Sequence, residues 1–499
     1  MKEKIVLLPI DNRPCNYDFP YQLFFHEKFD IVRIEKTGDK KVPVDAKRIK
    51  EFLKKECRDA YGLVLSVDML LYGGLVPSRI HHKKKEDFME MANLIRELKQ
   101  ENPKLCIYAF QVIMRCPSYS NADEEPDYYD TYGEMIHKAG EIIHKSRLGL
   151  CKDDELKNLM EEIDYKALTD YVERRQINCE MNCTMIDFVK EGLIDTLVIP
   201  QDDSAQYGYA AMDQETVRDK IRKENLSDSI LMYPGADEVG LTLMSRVINQ
   251  IYGKRPKVYL KYMCEAAKYI IPLYEGNQLG GTLKSHVLAA GGQLTDSYEC
   301  ADIILVITAP ADKMQEAVNQ PADLAEYYAE RNLYEFVDFI KERKKEGKII
   351  TIADNAYANG GDLELIQMLN QNNLLLEVDG YAGWNTSANT IGTAIALGMD
   401  SFYFGKTKEH IDFLVQRYLE DAGYCSVVRN RVSEQIGKYE YNYFFVGEEK
   451  GKVSEMVEKE LMEFARKELS SIYGNLQLLS VYMPWKRMFE VGLTTRYEK

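Results

Sequence analysis

Short runs of apolar, largely β-branched residues alternate along the chain with longer stretches in which apolar positions recur every three or four residues. The first pattern is typical of buried strands and the second of amphipathic helices, such as those predicted over Asp87–Gln100 and Leu333–Lys345. Their alternation predicts an α/β protein with largely parallel strands, because parallel neighbours need a crossover between them. The predicted strands are Ile5–Pro9, Ile31–Ile34, Gly62–Val67, Leu105–Ile113, Thr196–Pro200, Ile230–Tyr233, Val258–Tyr262, Ile303–Thr308, Ile349–Ala353, Leu374–Val378 and Ser401–Phe404.

The order of these elements fits two architectures. The strands outnumber the eight of a simple (β/α)-barrel, so a barrel-like unit with extra strands and doubly wound parallel sheets are both consistent with it. The acidic, tyrosine-rich stretch 123–192 has helical spacing and predicts a helical insertion in one crossover. We expect a barrel-like α/β domain over 1–255, a second α/β unit over 256–405 that can complete the same active site, and a helical C-terminal region over 406–499.

Composition excludes several classes of protein. The 499 residues are 45% hydrophobic and 29% charged, which is ordinary for a globular chain and not for a disordered one. The formal net charge is 64 − 80 = −16, which argues against nucleic acid or an anionic membrane as the main partner. No apolar run approaches the roughly 20 residues that a membrane helix needs. The opening MKEKIVLLPIDNRPCN has the pattern of a first strand and not of a secretion signal, so we expect a cytoplasmic protein.

Cysteine and histidine usage narrows the chemistry. The ten cysteines form no CxxC pair, and the closest spacing is Cys179-x3-Cys183 on a predicted helix, which favours reduced cysteines over a disulfide framework or a zinc site. The seven histidines form no HExxH or HxH motif, so no cofactor is expected, although a divalent cation held by carboxylates alone stays open. GxSxG, GxGxxG and the phosphate-loop motif are absent, which argues against acyl transfer and against those nucleotide sites.

Seven polar clusters each follow directly on a predicted strand. In parallel α/β folds ligands bind outside the C-terminal ends of the strands, so these clusters are candidates for substrate binding. Arginine can clamp an anion or hydroxyls, paired glycines permit close backbone approach, and an aromatic face stacks on a sugar ring. The competing interpretation is ordinary turn and helix-cap chemistry, with a structural ion pair between Asp68 and Arg79. The candidate substrate-binding residues are Asp11, Asn12, Arg13, Asp68, Tyr72, Gly73, Gly74, Arg79, Arg115, Tyr119, Asn121, Gln201, Gln206, Tyr207, Asp354, Asn355, Tyr357, Asn359, Asp379, Tyr381, Trp384, Asn385 and Asn389.

Two acidic pairs are the candidate catalytic residues. Asp202 and Asp203 follow a buried strand, and Asp237 and Glu238 follow the next one. Two carboxyls that share a desolvated site do not both ionise freely, so one keeps a proton beside a charged neighbour. Glycosidic bond cleavage needs such a combination, and the same oxygens can also hold a divalent cation. Helix capping is the alternative for both pairs.

Several motifs resemble a known family. Residues 5–20 (IVLLPIDNRPCNYDFP), 67–79 (VDMLLYGGLVPSR), 200–207 (PQDDSAQY), 353–362 and 379–392 resemble the bacterial family known as domain of unknown function 4127, which implies no activity. The chain also shows a likeness to barrel glycosidases of the O-GlcNAc hydrolase class, in which an Asp-Asp pair ends a strand while Asn and Trp hold the sugar. That likeness implies that Asp202 polarises an acetamido group and that Asp203 is general acid and then base, with Trp384 and Asn385 at the sugar.

These observations lead to three hypotheses about function. The first is a cytoplasmic glycoside hydrolase or a related sugar-processing enzyme. The second is a hydrolase or lyase that uses Mg²⁺ or Mn²⁺ held by Asp11, Asp202, Asp237 and Asp354, because hard cations take oxygen ligands. The third is a non-catalytic protein that binds a sugar or another small metabolite. All three have a small-molecule partner and neither nucleic acid nor membrane.

Overall fold

The structure, a computed structural model, describes residues 2–36, 38–152, 154–322 and 324–498. The chain forms two compact units. Unit 1 comprises Met1–Asn12, His26–Gly240 and Tyr274–Gly276, and unit 2 comprises Arg13–Phe25, Leu241–Leu273 and Asn277–Lys499. The sequence predicts three continuous domains, 1–255, 256–405 and 406–499. The division into two compact units does not test whether these ranges fold separately, so the three domains stay a prediction.

A six-stranded sheet forms the centre of unit 1. Its strands are β1 (Glu3–Leu8), β2 (Phe29–Arg33), β3 (Gly62–Ser66), β4 (Cys106–Phe110), β5 (Thr196–Gln201) and β6 (Ile230–Pro234). They lie in the order β2-β1-β3-β4-β5-β6, and every pair of neighbours is parallel. All six strands were predicted from their apolar runs.

Unit 2 contains a second parallel sheet and two smaller ones. The described strands are β7 (Lys257–Tyr262), β8 (Gln293–Leu294), β9 (Ile303–Thr308), β10 (Gln315–Glu316), β11 (Ile349–Asp354), β12 (Tyr357–Ala358), β13 (Gly380–Ala382), β14 (Leu476–Tyr482) and β15 (Gly492–Tyr497). The main sheet has the order β13-β11-β9-β7-β8 with parallel neighbours, β10 pairs with β12, and β14 and β15 form an antiparallel hairpin.

Both main sheets are open and doubly wound. In each, the first strand along the chain lies between the second and the third, so the strand order reverses beside β1 and beside β7. Among the described residues no sheet closes on itself, so the doubly wound alternative is confirmed and the barrel-like one is wrong. Closure would need the two edge strands of a sheet to pair, and β2 and β6 lie at opposite edges.

Helices connect the strands and account for about half of the chain. They are α1 (Pro14–Tyr17), α2 (Phe19–Leu23), α3 (Ala46–Glu56), α4 (Val67–Tyr72), α5 (Leu75–Ile80), α6 (Lys85–Glu101), α7 (Tyr129–Arg147), α8 (Asp154–Glu162), α9 (Tyr165–Lys190), α10 (Tyr209–Lys223), α11 (Val239–Tyr252), α12 (Leu279–Ala289), α13 (Ala325–Tyr328), α14 (Leu333–Lys345), α15 (Leu363–Gln371), α16 (Ser387–Phe404), α17 (Lys408–Arg417), α18 (Arg429–Ile436), α19 (Lys452–Glu468) and α20 (Ser470–Tyr473). A π-helix (Tyr418–Val428) joins α17 to α18, and 3₁₀ turns cover Glu265–Lys268, Ala317–Asn319, Gly437–Tyr439 and Pro484–Lys486.

Local sequence explains where α14 begins. Asn332 begins α14 because its side chain accepts a hydrogen bond from the Glu335 N–H at 3.0 Å, and the helix has the limits predicted from its spacing. The predicted insertion between β4 and β5 is helical and forms α7, α8 and α9. No helix among the described residues is long and apolar enough to cross a lipid bilayer.

Two predicted strands are wrong. Leu374–Val378 is a turn after α15 whose apolar side chains enter the core of unit 2, and the strand is the shorter Gly380–Ala382. Ser401–Phe404 is the last turn of α16, a helix buried on nearly all sides. A helix that is apolar all round has no amphipathic period, so its end looks like a buried strand in sequence. The C-terminal region is mainly helical as expected, but it also contains the hairpin of β14 and β15.

Candidate functional site

The C-terminal ends of β3, β4 and β5 lie side by side at one edge of the unit 1 sheet. Arg79 lies in the last turn of α5, Arg115 lies after β4, and Asp202 directly follows β5. Arg79 and Asp202 are 123 positions apart in the chain, and they meet because parallel strands end at the same edge. The structure therefore brings together residues from three of the predicted clusters.

Arg79 is buried and binds three carboxyl groups. Its guanidinium donates to Asp202 Oδ2 at 2.7 Å and to Glu124 Oε2 at 2.8 Å, and it lies 3.6 Å from Glu125 Oε1. The ion pair predicted for Arg79 has Asp202 as its partner in place of Asp68.

Arg115 binds a second, overlapping set of carboxyls. It donates to Glu125 Oε1 at 2.7 Å, to Asp203 Oδ2 at 2.8 Å and to Glu124 Oε2 at 3.0 Å. Glu124 and Glu125 thus bridge the two arginines. We call Arg79, Arg115, Glu124, Glu125, Asp202 and Asp203 the arginine–carboxylate cluster.

The cluster has more acids than bases. With all carboxyls ionised, two guanidinium groups and four carboxylates give 2 − 4 = −2. The arginines predicted to clamp a substrate anion are directed at the chain's own acids. The surplus of acceptor oxygens suits a partner that donates hydrogen bonds.

Burial raises the pKa of two of the candidate carboxyls, Asp202 and Asp68. Burial raises the pKa of Asp202; the Arg79 guanidinium opposes this shift and the Asp203 carboxylate adds to it. Asp68, in the first turn of α4, is 2% exposed and accepts from the Val112 N–H at 3.0 Å. Burial raises the pKa of Asp68 to about 7, so this carboxyl is partly protonated in neutral solution.

Two further features mark the end of β5. Gln201 is 2% exposed, and neither atom of its side-chain amide has a hydrogen-bond partner among the described residues. Asp203 has a φ of +34°, a left-handed conformation that residues other than glycine rarely adopt. Buried polar groups without partners and unusual backbone conformations concentrate at functional sites.

The second acidic pair does not join this cluster. Glu238 folds back on its own turn, where Oε2 accepts from the Ala236 N–H at 3.0 Å. Gly235 has a φ of +140°, a conformation that residues with a side chain rarely adopt, so the turn favours glycine. Asp237 is buried at the entry to α11. Glu238 is therefore held by the backbone of its own turn, whereas the alternative given for this pair, helix capping, stays a prediction.

Most of the remaining unit 1 candidates contact other parts of the chain, and Tyr119 also interacts electrostatically with Arg115. Gly73 ends α4 with a φ of +83°, and its carbonyl accepts from the Val44 N–H, so the close backbone approach there is to the chain itself. Tyr207 packs against the His144 ring. Asn12 donates to the Gly38 carbonyl, and Asn121 accepts from the Asp123 N–H. Of the other candidates, Asp11, Tyr72 and Gly74 are buried, and Tyr119 and Gln206 are exposed.

Two of the unit 2 candidates, Asp354 and Tyr381, meet at the end of β11. Asp354 is fully enclosed and accepts from the Thr308 hydroxyl at 2.7 Å, the Asp362 N–H at 2.7 Å and the Tyr381 hydroxyl at 2.8 Å. Burial raises the pKa of Asp354 to about 6. Asp362 also caps α15 and pairs with Arg331. With this many partners, Asp354 has a structural role in holding the strand ends.

The π-helix adds acids that the sequence interpretation missed. Arg417 is fully buried and binds Glu420 and, at 2.9 Å, Asp421. Asp421 Oδ2 accepts from the Gly383 N–H at 2.8 Å, and burial raises its pKa to about 7. The sequence contains a signal for these residues, because charged residues inside an apolar stretch such as 413–428 are unusual unless they are paired. For Glu124 and Glu125 the only signal was an acidic run that also fits a solvated loop.

Trp384 and its neighbours lie in unit 2. The Trp384 indole N–H donates to Thr393 Oγ1 at 3.1 Å and the ring packs edge-on against Phe19, so this side chain is 7% exposed. Asn389 lies in the first turn of α16, as the helix-start alternative predicts. The Asn385 backbone carbonyl accepts from the Asn359 N–H, and the Asn359 side chain donates to Glu316. Tyr357 stacks on Tyr327, and Arg13 lies over the Trp485 ring. Asn355 and Tyr381 are buried.

Asp379 lies at the opposite edge of its sheet from the place predicted. Because the strand starts at Gly380, Asp379 precedes β13 and does not follow a strand. Its Oδ2 accepts from the Ile350 N–H at 2.8 Å, and it also binds Ser401 and Lys344. This residue connects the N-terminal end of β11 to α14 and α16.

The residues proposed as a cation site belong to both units. Asp11, Asp202 and Asp237 lie in unit 1 and Asp354 lies in unit 2. Within the part of the chain that the structure describes, no group of three or more His, Cys, Asp or Glu side chains is arranged to hold a metal ion.

Comparison with known proteins gives a family but no activity. No curated protein matches the chain. A family profile matches residues 5–494, which include all of the motif segments that carried the resemblance. Because this match covers nearly the whole length, the chain belongs to the family described as Protein of unknown function (DUF4127).

Proposed function

We propose that the chain is a carbohydrate-active hydrolase in which Asp202 and Asp203 supply the acid–base chemistry. The observation that carries this proposal is the pair of adjacent carboxyls after β5, each bound by a different arginine. Hydrolysis of a glycosidic bond needs one carboxyl that donates a proton to the leaving oxygen and another that accepts one.

The two carboxyls differ in a way that suits these roles. The Asp202 side chain is 13% exposed and that of Asp203 is 26% exposed. Burial raises the pKa of Asp202, so we assign the proton donor to this residue, in place of Asp203, to which the likeness to barrel glycosidases gave that role. Asp203 is the more accessible acceptor and is held in place by Arg115. Pairs of carboxyls whose surroundings differ in this way are typical of acid–base catalysis.

Charge at the site supports a neutral substrate with hydroxyl groups. The arginine–carboxylate cluster is net negative, so it repels phosphate and carboxylate groups. Glu125 Oε2 and the Gln201 amide, which have no hydrogen-bond partner among the described residues, match the mixed donor and acceptor pattern of sugar hydroxyls. The lack of disulfides among the ten cysteines supports a cytoplasmic location as part of the same proposal.

The test is hydrolysis of a panel of α- and β-linked 4-nitrophenyl glycosides of neutral hexoses and N-acetylhexosamines. Asp202→Asn and Asp203→Asn should each reduce kcat by about 10²–10⁴-fold, the range for loss of a general acid or base. Asp127→Asn, which changes a fully exposed carboxyl, is the matched control and should leave kcat unchanged. Turnover that is unchanged in both Asp202 and Asp203 variants, or no turnover of any panel member, would refute the assignment.

A further inference from the structure

A stripe of buried polar side chains lies on one face of α9 in unit 1. Its members are Tyr171, Arg175, Asn178 and Asn182, and we call them the α9 stripe. Their spacing of four, three and four residues places them above one another on the helix. All four are buried, and a buried polar group is stable only when it has hydrogen-bond partners. The partners of the α9 stripe therefore indicate the role of this face.

Tyr171 and Arg175 bind the backbone of the loop after β4, which carries Arg115. The Tyr171 hydroxyl donates to the Arg115 carbonyl oxygen at 3.0 Å, and the Arg175 guanidinium donates to the same oxygen at 2.8 Å. Arg175 also donates to the Met114 carbonyl oxygen at 2.6 Å. Asp213 of α10 holds Arg175 in turn, with Oδ2 at 2.6 Å from the guanidinium. The carbonyl of Arg115 thus has two donors that lie one turn apart on one helix.

The two asparagines of the α9 stripe bind neighbouring parts of the same site. Asn178 Nδ2 donates to the Ser78 carbonyl oxygen at 2.8 Å, and Ser78 directly precedes Arg79. Asn182 Nδ2 donates to the Val112 carbonyl oxygen at 3.4 Å, just after β4. The α9 stripe therefore contacts the chain beside both arginines of the arginine–carboxylate cluster from a single helix face.

Helix α7 supplies the remaining donors to the loop after β4. The Tyr129 hydroxyl donates to the Pro117 carbonyl oxygen and the His137 Nδ1–H to the Cys116 carbonyl oxygen, each at 2.8 Å. The carbonyls of four consecutive residues, 114–117, thus each accept a hydrogen bond from a side chain of the helical insertion. These four residues are buried and belong to no helix or strand. Because buried backbone groups need partners, side chains of α7 and α9 determine the conformation of this loop.

We propose that Tyr171 and Arg175 are positioning residues, which place the Arg115 guanidinium and, through it, the Asp203 carboxylate. Arg115 donates to Asp203 Oδ2 at 2.8 Å, so a shift of the Arg115 backbone moves the partner of that carboxyl. The role in catalysis rests on the proposed function of Asp202 and Asp203. A misplacement of about 1 Å can reduce a rate by about 10²-fold. The helical insertion is then the part of the chain that sets the geometry of the acid–base pair.

The first experiment compares two tyrosine-to-phenylalanine variants in the turnover of the 4-nitrophenyl glycosides. Tyr171→Phe removes a hydroxyl that binds the loop of Arg115, whereas the control Tyr128→Phe removes one that donates to Asp170 at 2.7 Å, within the insertion. We expect Tyr171→Phe to lower kcat at least about fivefold with KM unchanged within about twofold, because the substrate still binds but the acid–base pair is displaced. Tyr128→Phe should keep the wild-type kcat.

Substitutions of Arg175 test its contacts with the two carbonyls. Arg175→Met removes the donors to the carbonyl oxygens of Met114 and Arg115 and should lower kcat further than Tyr171→Phe does. Arg175→Lys should restore part of kcat, because an ammonium group can still donate to one of the two oxygens.

The second experiment needs no turnover. Phenylglyoxal modifies accessible guanidinium groups, and peptide mass spectrometry gives the rate at each arginine separately. In Tyr171→Phe and Arg175→Met we expect Arg115 to be modified at least about threefold faster than in wild type, because its loop opens locally. Arg79 should keep its wild-type rate, because Asn178 still holds the residue before it. Partial unfolding of the whole site would instead raise both rates.

The two experiments distinguish positioning from catalysis. If no glycoside in the panel is hydrolysed, the proposed function fails, and the modification rates alone decide the positioning of Arg115. The positioning proposal is overturned if Arg115 is modified in both variants at its wild-type rate, or if the rates of Arg115 and Arg79 rise together. It is also overturned if Tyr171→Phe keeps the wild-type kcat on a glycoside that Asp203→Asn fails to hydrolyse.

Discussion

Replacing Asp68 with asparagine is expected to make the protein more stable in neutral solution. The carboxyl is 2% exposed, and burial raises its pKa from the ordinary 3.8 to about 7. Between these two values the folded chain holds a proton that the unfolded chain releases, so the free energy of unfolding falls as pH rises through this window. The stabilisation from the raised pKa is complete below pH 3.8 and lost above about pH 7.

The size of the effect follows from the same two values. One pKa unit corresponds to about 1.36 kcal/mol, so the difference between 3.8 and about 7 amounts to about 4 kcal/mol. Asparagine never ionises, and its carbonyl oxygen can still accept from the Val112 N–H. Asp68→Asn should therefore gain about 4 kcal/mol relative to wild type between pH 4 and pH 8. If the new amide N–H₂ finds no acceptor, the variant also loses about 1–3 kcal/mol in its free energy of unfolding at every pH.

The assay is urea unfolding of both proteins at half-unit steps from pH 4 to pH 8, with the stability difference plotted against pH. Asp127→Asn, at an exposed carboxyl, is the control and should give a flat difference. A flat difference for Asp68→Asn as well, or one that favours wild type increasingly as pH rises, would show that Asp68 is not held protonated by burial.

Three further changes test other contacts. Arg115→Met removes the guanidinium that binds the buried Glu125 carboxylate at 2.7 Å and should cost about 3–5 kcal/mol in urea unfolding, whereas Lys138→Ala, at an exposed ion pair, should change stability by less than about 0.5 kcal/mol. Equal effects would contradict the burial argument. Gly361→Ala places a Cβ 1.9 Å from a buried tyrosine hydroxyl and should cost about 3 kcal/mol, while Gly281→Ala in α12 meets no atom and should be neutral or stabilising by thermal denaturation. Thr393→Val removes the acceptor of a buried indole N–H and should cost about 1–3 kcal/mol; a Tm equal to that of wild type would show that this hydrogen bond contributes nothing.

Local patterns were sufficient for most of the strands. The six strands of unit 1 and β7, β9 and β11 of unit 2 follow from apolar runs between turn residues. The two errors, Leu374–Val378 and Ser401–Phe404, come from apolar segments, one in a turn that packs on the core of unit 2 and one at the end of the largely buried α16. Such segments carry no period that separates a turn or a buried helix from a strand.

The position of polar residues after strands was also visible in the sequence, but their partners were not. Arg79 and Arg115 were expected at a substrate, and the structure directs both at carboxylates of the chain. Glu124 was passed over, although its Oε2 bridges the two arginines. Which acid reaches which arginine depends on the order β3-β4-β5 and on a long loop after β4, and neither has a local signature.

The sequence by itself determined the α/β class, the parallel strands and the loops at which polar groups concentrate, because these depend on periodicity over short stretches. Only the tertiary structure decided that the sheets are open and that the loops divide between two units, with Asp202 in one and Asp354 in the other. It also decided for which carboxyls burial raises the pKa. Strand order and burial are properties of residues that are far apart in the chain and close together only after folding.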